Sequence, residues 1–290
     1  MNDAMGTHGR DDRREAMPEE LTVPEDEHLH AMLTRLKLTA IRERLDTLLD
    51  EAAGKGLSFR QTLYHLCRTE VEHKDARRTV MGMSIAHFPC VRDLENFDYG
   101  ARTSVDRRQM EELSAGRWIA GGENLLFLGP PGVGKTHLAI ALGRKAIERG
   151  YTTLFTNAVS LLTQLVRAQG EGKLEERLAW YAKPKLLIVD ELGYLPLESG
   201  AGHLFFQLVS RRYERGSMLI TSNRAVGEWG MVFDDAVVAT AILDRLLHHS
   251  IVVTIRGESY RLREKRRSGM IRNDTSDTTT ETAKGNPAGI

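Results

Sequence analysis

Residues 124–137 read NLLFLGPPGVGKTH, and the interpretation of the whole chain turns on them. Leu125, Leu126, Phe127 and Leu128 form the short apolar run that a buried strand requires, and the run stops at Gly129. From there Gly129, Pro130, Pro131, Gly132, Val133, Gly134, Lys135 and Thr136 fill the phosphate-loop pattern G-x-x-x-x-G-K-[ST]. Glycines in such a loop let backbone N–H groups point inward at a triphosphate, and the helix that follows presents its positive end to it. Lys135 is placed to reach the β- and γ-phosphates of ATP, and the Thr136 hydroxyl to ligate Mg²⁺. His137 completes the nucleotide-binding candidates. Leu138, Ala139, Ala141, Leu142, Ala146 and Ile147 then recur at helical spacing up to Gly150. A tight Gly-Pro turn without a ligand is the alternative, and a strand-loop-helix context weighs against it.

Downstream, strands and helices alternate. Strands are expected over residues 151–156, 185–191, 218–221 and 251–255, and helices over 159–169, 173–181, 202–215 and 235–249. With the strand before the phosphate loop this makes an α/β fold built on a five-stranded parallel sheet, whose ligands sit at the carboxyl ends of the strands. The polar clusters collect at that edge. Asp190 ends an apolar strand, as the acid that helps to hold Mg²⁺ must, and Glu191 beside it can orient or deprotonate an attacking water. Asn223 follows the next strand, where its side chain could bridge that water and the γ-phosphate; Ser-Asn is also ordinary turn chemistry. Arg245 interrupts an apolar helix face, and Arg261 and Arg263 follow the last strand. Two readings of Arg245 stay open: a local ion pair, or a guanidinium delivered to a neighbouring subunit's site. The His248-His249 pair is too short a signal for a metal site and reads as helix-terminal charge or packing.

Upstream, residues 1–27 carry nine acidic residues and three arginines with little to build a core, so they read as a disordered start. Leu29, Met32, Leu33, Leu36, Ile41, Leu45, Leu48 and Leu49 predict one helix, broken at Gly54-Lys55-Gly56. Ser58 and Gln61 form a capping box that opens a second helix, giving a hairpin that could be an independent module. Arg68, Lys74, Arg77 and Arg78 on it are either a solvated face or a DNA-contacting stripe. Phe88-Pro89 ends this region and a further helix is expected over residues 104–115. The expected division is a disordered segment 1–27, a small all-α domain 28–99, an ATPase domain 100–263 and a disordered tail 264–290.

Forty basic residues balance forty acidic ones, so any nucleic-acid surface must be a local patch. Cys67 and Cys90 stand apart without metal-ligand spacing and read as free thiols. No stretch approaches the ~18 apolar residues of a membrane span, and the start lacks the apolar centre of a signal peptide. The expectation is a soluble cytoplasmic protein with no membrane partner.

With these residues in hand, the chain resembles the IstB-type ATPases, helper subunits of a two-gene class of insertion-sequence transposons, and more distantly the DnaC and DnaI helicase loaders. The carriers are LKL-x5-RL from Leu36, LSF from Leu57, FP at Phe88, LENFD from Leu94, GPPGVGKTHLA from Gly129, LLIVDELGYLPL from Leu186, TSNR-x4-W from Thr221, ILDRLLHHS from Ile242 and IRGESYRLR from Ile255. The resemblance implies an AAA+ ATPase without the usual helical lid. It makes Lys135 and Thr136 Walker A ligands, Asp190 and Glu191 Walker B, Asn223 sensor 1, Arg245 a trans-acting arginine finger and Arg261 a second sensor. It also implies ATP and Mg²⁺ as cofactors, homo-oligomeric assembly on double-stranded DNA, and a cognate transposase that the protein directs or stimulates. Two alternatives stand beside it: a replicative helicase loader, and a nucleotide-gated interaction protein with negligible hydrolysis. One departure is that Arg77-Arg78 is followed by Thr79-Val80-Met81-Gly82-Met83-Ser84-Ile85, where such proteins usually carry a dense arginine run before the FP element.

Overall fold

The structure is a computed structural model and describes residues 26–100, 104–194 and 200–260. The expected disordered start up to residue 25, the tail, Arg261 and Arg263 lie outside the described residues, as does the position where a lid would have to follow. Asp26 and Glu27, assigned to the disordered start, begin a helix.

The described chain falls into two compact units that divide between Arg77 and Arg78. The first is entirely helical, with α1 (Asp26–Arg35), α2 (Thr39–Gly54) and the first part of α3 (Phe59–Ile85). The single helix expected over Leu29–Leu49 is therefore two, parted at Lys37, whose backbone is left-handed (φ 55°). The break has a distant cause. Leu38 precedes α2 without a capping side chain, and the buried Glu70 carboxylate of α3 supplies the cap, accepting from the N–H groups of Thr39 (3.2 Å), Ala40 (2.8 Å) and Ile41 (3.1 Å). Burial pushes the Glu70 carboxyl up, but the amides of Ile41 and Ala40 together with Lys74 more than reverse this and hold it below its ordinary value. Leu33, Ile41 and Leu45 form the small core with Leu29, Leu38 and Leu66. The capping box is present: Ser58 N–H donates to Gln61 Oε1 at 2.8 Å and Gln61 N–H to Ser58 Oγ at 3.4 Å.

The second unit begins well before the boundary expected near residue 100, because residues 78–100 pack on the sheet domain. Phe155 N–H donates to Ala86 O (2.8 Å), the rings of Phe88 and Phe155 lie 6.1 Å apart, and Leu94 and Phe97 are buried in the core. Helices α4 (Arg107–Ser114, capped by Asp106) and α5 (Arg117–Ala120) lead into β1 (Asn124–Leu128). There follow α6 (Lys135–Glu148), β2 (Thr153–Asn157), α7 (Ala158–Gly170), α8 (Leu174–Ala182), β3 (Leu186–Leu192) and α9 (Ala201–Arg212). The unit closes with β4 (Ser217–Ser222), a 3₁₀ turn at Val226–Glu228, α10 (Trp229–Phe233), α11 (Ala236–His248) and β5 (Ser250–Thr254).

All five strands are parallel, in the order β2-β3-β4-β1-β5. Every residue of β1 and β4 is buried, because helices cover both faces and alternate side chains serve two cores. Leu126, Leu128, Leu187, Val189 and Ile220 face α7, α9 and α11, whereas Leu125, Phe127, Ile188 and Leu219 face α6 and the 94–119 segment. A buried arginine knits the amino ends of β3 and β4. Arg212 donates to the carbonyls of Tyr181, Ala182, Pro184, Lys185 and Ser217, and burial lowers its pKa to about 10.

Candidate nucleotide site

The order of the strands fixes the site. β4 lies between β1, which feeds the phosphate loop, and β3, which carries the acidic pair, so the residues following three adjacent strands converge on one edge.

In the loop, two glycines are required by what surrounds them. Gly129 (φ 149°) passes so close to the Ile255 carbonyl that a side chain would strike it. Gly134 (φ 100°) caps α6 in the left-handed region, where a Cβ would lie 2.6 Å from the Phe97 ring. Lys135, only 9% exposed, curls back so that its ammonium donates to the carbonyls of Gly129 (2.7 Å) and Pro130 (2.8 Å). The 257–260 segment leans on the same loop, with Tyr260 N–H donating to Gly132 O at 2.9 Å. His137 turns the other way. Its Nε2 lies 2.9 Å from Asp93 O and its ring packs edge-on against Phe97, so it braces the loop helix on the 93–97 segment.

The acids sit on a β-bulge. Val189 pairs with Ile220 and Leu192 with Ser222, so Asp190 and Glu191 together oppose the single residue Thr221. In a regular strand the two acids would point to opposite faces. The bulge instead puts Glu191 at φ 61° and lets one hydroxyl serve both: Thr221 Oγ1 donates to Asp190 Oδ1 (2.5 Å) and accepts from Glu191 N–H (2.9 Å). Left-handed backbone at a non-glycine residue costs about 1–3 kcal/mol and persists where its surroundings enforce it. Thr136 Oγ1 donates to both oxygens of Asp190, at 3.0 and 3.1 Å. Asp190 is buried, and burial pushes its carboxyl above the ordinary range with Glu191 adding to the effect; the Thr221 and Thr136 hydroxyls and Lys135 pull it back. The exposed Glu191 carboxylate accepts from Asn157 Nδ2 at 3.0 Å, while Asn157 Oδ1 caps α7 through Val159 N–H at 2.9 Å.

Asn223 follows β4 and is therefore between the loop and the acids. Its Oδ1 is buried and, among the described residues, makes no hydrogen bond. An orphaned polar atom just beyond the strand that lies between those leading to the loop and to the acids fits a site for a polar, charged ligand. Thr136 and Asp190 offer hard oxygen donors close enough to share one small cation, the donor set that Mg²⁺ takes.

Arg245 does not join this group. Its guanidinium lies over the Phe206 ring, 4.7 Å from the centroid, and among the described residues it makes no ion pair. It lines a narrow cavity with Asn124 and Met218, at the amino ends of β1 and β4, and the next residue's carbonyl accepts from Asn124 Nδ2. The phosphate loop begins at the other end of β1, roughly 13 Å away along the strand. The structure thus brings together Lys135, Thr136, Asp190, Glu191 and Asn223, and separates Arg245 from them.

Asn157 and Thr221 are the site residues that sequence reasoning passed over. Asn157 carries a visible signal, an Asn between a β-branched strand and an apolar helix. Thr221 carries none, since its role exists only through the bulge.

The family described as IstB-like ATP binding protein matches residues 31–268. The chain belongs to the IstB-like family. It is 46% identical over 240 residues to an insertion sequence IS5376 protein of Geobacillus stearothermophilus, covering 83% of this chain and 96% of the relative. It is 42% identical over 248 residues to an insertion sequence IS21 protein of Pseudomonas aeruginosa, covering 86% and 94%. Among solved structures, the DnaC helicase loader superposes with a TM-score of 0.50 at 22% identity, over 57% of this chain and 96% of that one. The replication initiator DnaA bound to AMPPCP and single-stranded DNA gives 0.51 at 21%, over 65% and 58%. These similarities place the IstB-like core in the AAA+ P-loop fold. Among the described residues no helix is long and apolar enough to cross a membrane.

Proposed function

We propose that this IstB-like protein binds ATP with Mg²⁺, hydrolyses it in an assembly of its own subunits on double-stranded DNA, and thereby directs or stimulates a partner transposase. The observation that carries the hydrolytic reading is the Thr221 hydroxyl shared by Asp190 and Glu191 across the bulge. It holds one acid inward beside Thr136 and leaves the other exposed. Thr136 and Asp190 would hold Mg²⁺, and the ion would supply screening of phosphate charge there. Lys135, buried among carbonyls, is the cation for the β- and γ-phosphates, and the loop and α6 amides supply the remaining positive field. Glu191 accepts a proton from the attacking water or orients it, and Asn223 Oδ1 supplies an acceptor on the same edge. Arg245, too far along β1 to serve its own subunit, serves a neighbour's.

The transposition role rests on similarity to proteins named for insertion sequences, at up to 46% identity over most of both chains. A helicase-loader role rests only on likeness of fold.

The deciding experiment measures ATP turnover with and without duplex DNA alongside the mass of the assembly. DNA should raise turnover and mass together, and the DNA affinity should fall steeply with salt as counterions are released. Turnover indifferent to DNA and to Glu191→Gln would overturn the hydrolytic reading, and salt-insensitive or absent DNA binding would overturn the DNA reading. Lys135→Ala should abolish ATP binding.

A further inference from the structure

At the amino edge of the sheet, far from the nucleotide site, three exposed side chains from two elements converge. Glu214 lies just after α9, and His248 and His249 end α11. One carboxylate oxygen of Glu214 and one ring nitrogen from each histidine all lie within 4.8 Å of one another. The imidazole rings are 4.1 Å apart, and His249 Nε2 is 4.0 Å from Glu214 Oε1. We propose that Glu214, His248 and His249 form a transition-metal site of the Zn²⁺ class that ties the end of α11 to the turn after α9.

Three features of this turn suit a cation. Glu214 is left-handed (φ 58°), an uncommon conformation for a non-glycine residue, in a tight turn where the N–H groups of Arg215 and Gly216 both return to Arg212 O. The histidines stand at a helix C-terminus, where unsatisfied carbonyls favour positive charge. The Tyr213 hydroxyl lies 2.7 Å from His248 Nδ1, so that ring is oriented by a neutral neighbour. Arg245, three positions earlier on α11, lies over Phe206 and lines the same narrow cavity as Glu214 and His249, so the bound cation would sit near one guanidinium as well as the carboxylate.

Two imidazole nitrogens and one carboxylate oxygen select Zn²⁺, and its neighbours Co²⁺, Ni²⁺ and Cu²⁺, over Mg²⁺ or Ca²⁺. Metal–ligand bonds of about 2.0–2.2 Å put tetrahedral ligands roughly 3.4 Å apart, so these solvent-exposed side chains need to close by up to about 1.4 Å from their 4.8 Å span. Three protein ligands leave a fourth position for water or for a group brought by a neighbour. The metal would brace the end of the helix that presents Arg245. The site itself stands or falls independently of the ATPase reading.

The test titrates Zn²⁺ into metal-stripped full-length protein by calorimetry, with Co²⁺ absorption as the report on coordination, in wild type, Glu214→Gln, His249→Ala and the double variant His248→Ala/His249→Ala. All three side chains are exposed, so each variant should fold, and unchanged melting without metal verifies it. Wild type should bind one more Zn²⁺ per chain than the double variant. Single variants should bind it at least tenfold more weakly, and Zn²⁺ should raise the melting temperature of wild type alone. Equal stoichiometry and affinity in wild type and the double variant would overturn the site. Displacement of Zn²⁺ by millimolar Mg²⁺ would overturn its assignment to the transition-metal class.

Discussion

Asn157 Nδ2 donates to Glu191 Oε2 at 3.0 Å, so the acid on β3 that faces solvent is tethered from the end of the neighbouring strand β2. Strands β2 and β3 pair in parallel with Asn157 opposite Asp190, which sets the amide beside the following residue. One oxygen of that carboxylate is thereby engaged and has to be released before it can receive a proton from water.

Replacement of Asn157 by Asp therefore separates two roles. Aspartate keeps the cap on α7, because it still accepts from Val159 N–H, but it loses the donor and repels Glu191. DNA-independent ATP turnover should rise severalfold with melting temperature nearly unchanged. Turnover that falls instead would identify the contact as one that positions Glu191 rather than restrains it.

For Asp190, stability and function should pull in opposite directions. Its folded pKa is raised by burial above the unfolded value, so its favourable contribution is complete below the unfolded pKa and is lost as pH rises through the folded one. At neutral pH the ionised carboxylate is a net cost to the fold. Asp190→Asn should raise the melting temperature near pH 7, with the gain shrinking on acidification, and should remove Mg²⁺-dependent turnover.

Arg245→Ala should leave ATP affinity within about twofold but reduce turnover by ~10³ or more, the scale of a missing arginine finger. Mixing it with Lys135→Ala subunits should restore part of the activity, since one partner offers a complete phosphate site and the other the guanidinium. Absence of any rescue, or loss of ATP binding in the arginine variant, would defeat the assignment.

In the helical unit, Glu70→Gln should cost roughly 2–3 kcal/mol, because charged hydrogen bonds to the orphan amides of α2 are lost or weakened. Exposed Glu72, paired with Arg68 one turn away, should cost under about 0.5 kcal/mol when changed to Gln. The folded pKa of Glu70 is depressed, so its contribution is present above the unfolded value and lost as pH falls through the folded one. Denaturant titration of both variants at neutral and acidic pH checks the contrast.

The strands of this protein announce themselves because each is an apolar run bounded by Gly, Asp or Asn, and the phosphate loop supplies the connection that sets their direction. Lys135, Thr136, Asp190, Glu191 and Asn223 were legible for the same reason: each sits at the carboxyl end of a readable strand or just beyond it. What stayed hidden depends on contacts between distant residues. The break between α1 and α2 is capped from Glu70, thirty residues away, so no local signal marks it. The bulge at Asp190 exists because Thr221 can bridge two consecutive residues. Residues 78–99 read along the chain as part of the helical domain, yet Ala86, Phe88 and Phe97 pack on the sheet domain, and only the folded chain reveals which unit they join.

Arg245 and the phosphate loop stand at opposite edges of one sheet. Where copies join head to tail, each delivers its guanidinium to the phosphates of the next, and the interface is heterologous. In an open row each added copy completes one more site, while the terminal site stays unserved and the guanidinium at the other end goes unused. In the proposed assembly, turnover per subunit would depend on the length of the row, and a short stretch of DNA would set how fast ATP is consumed.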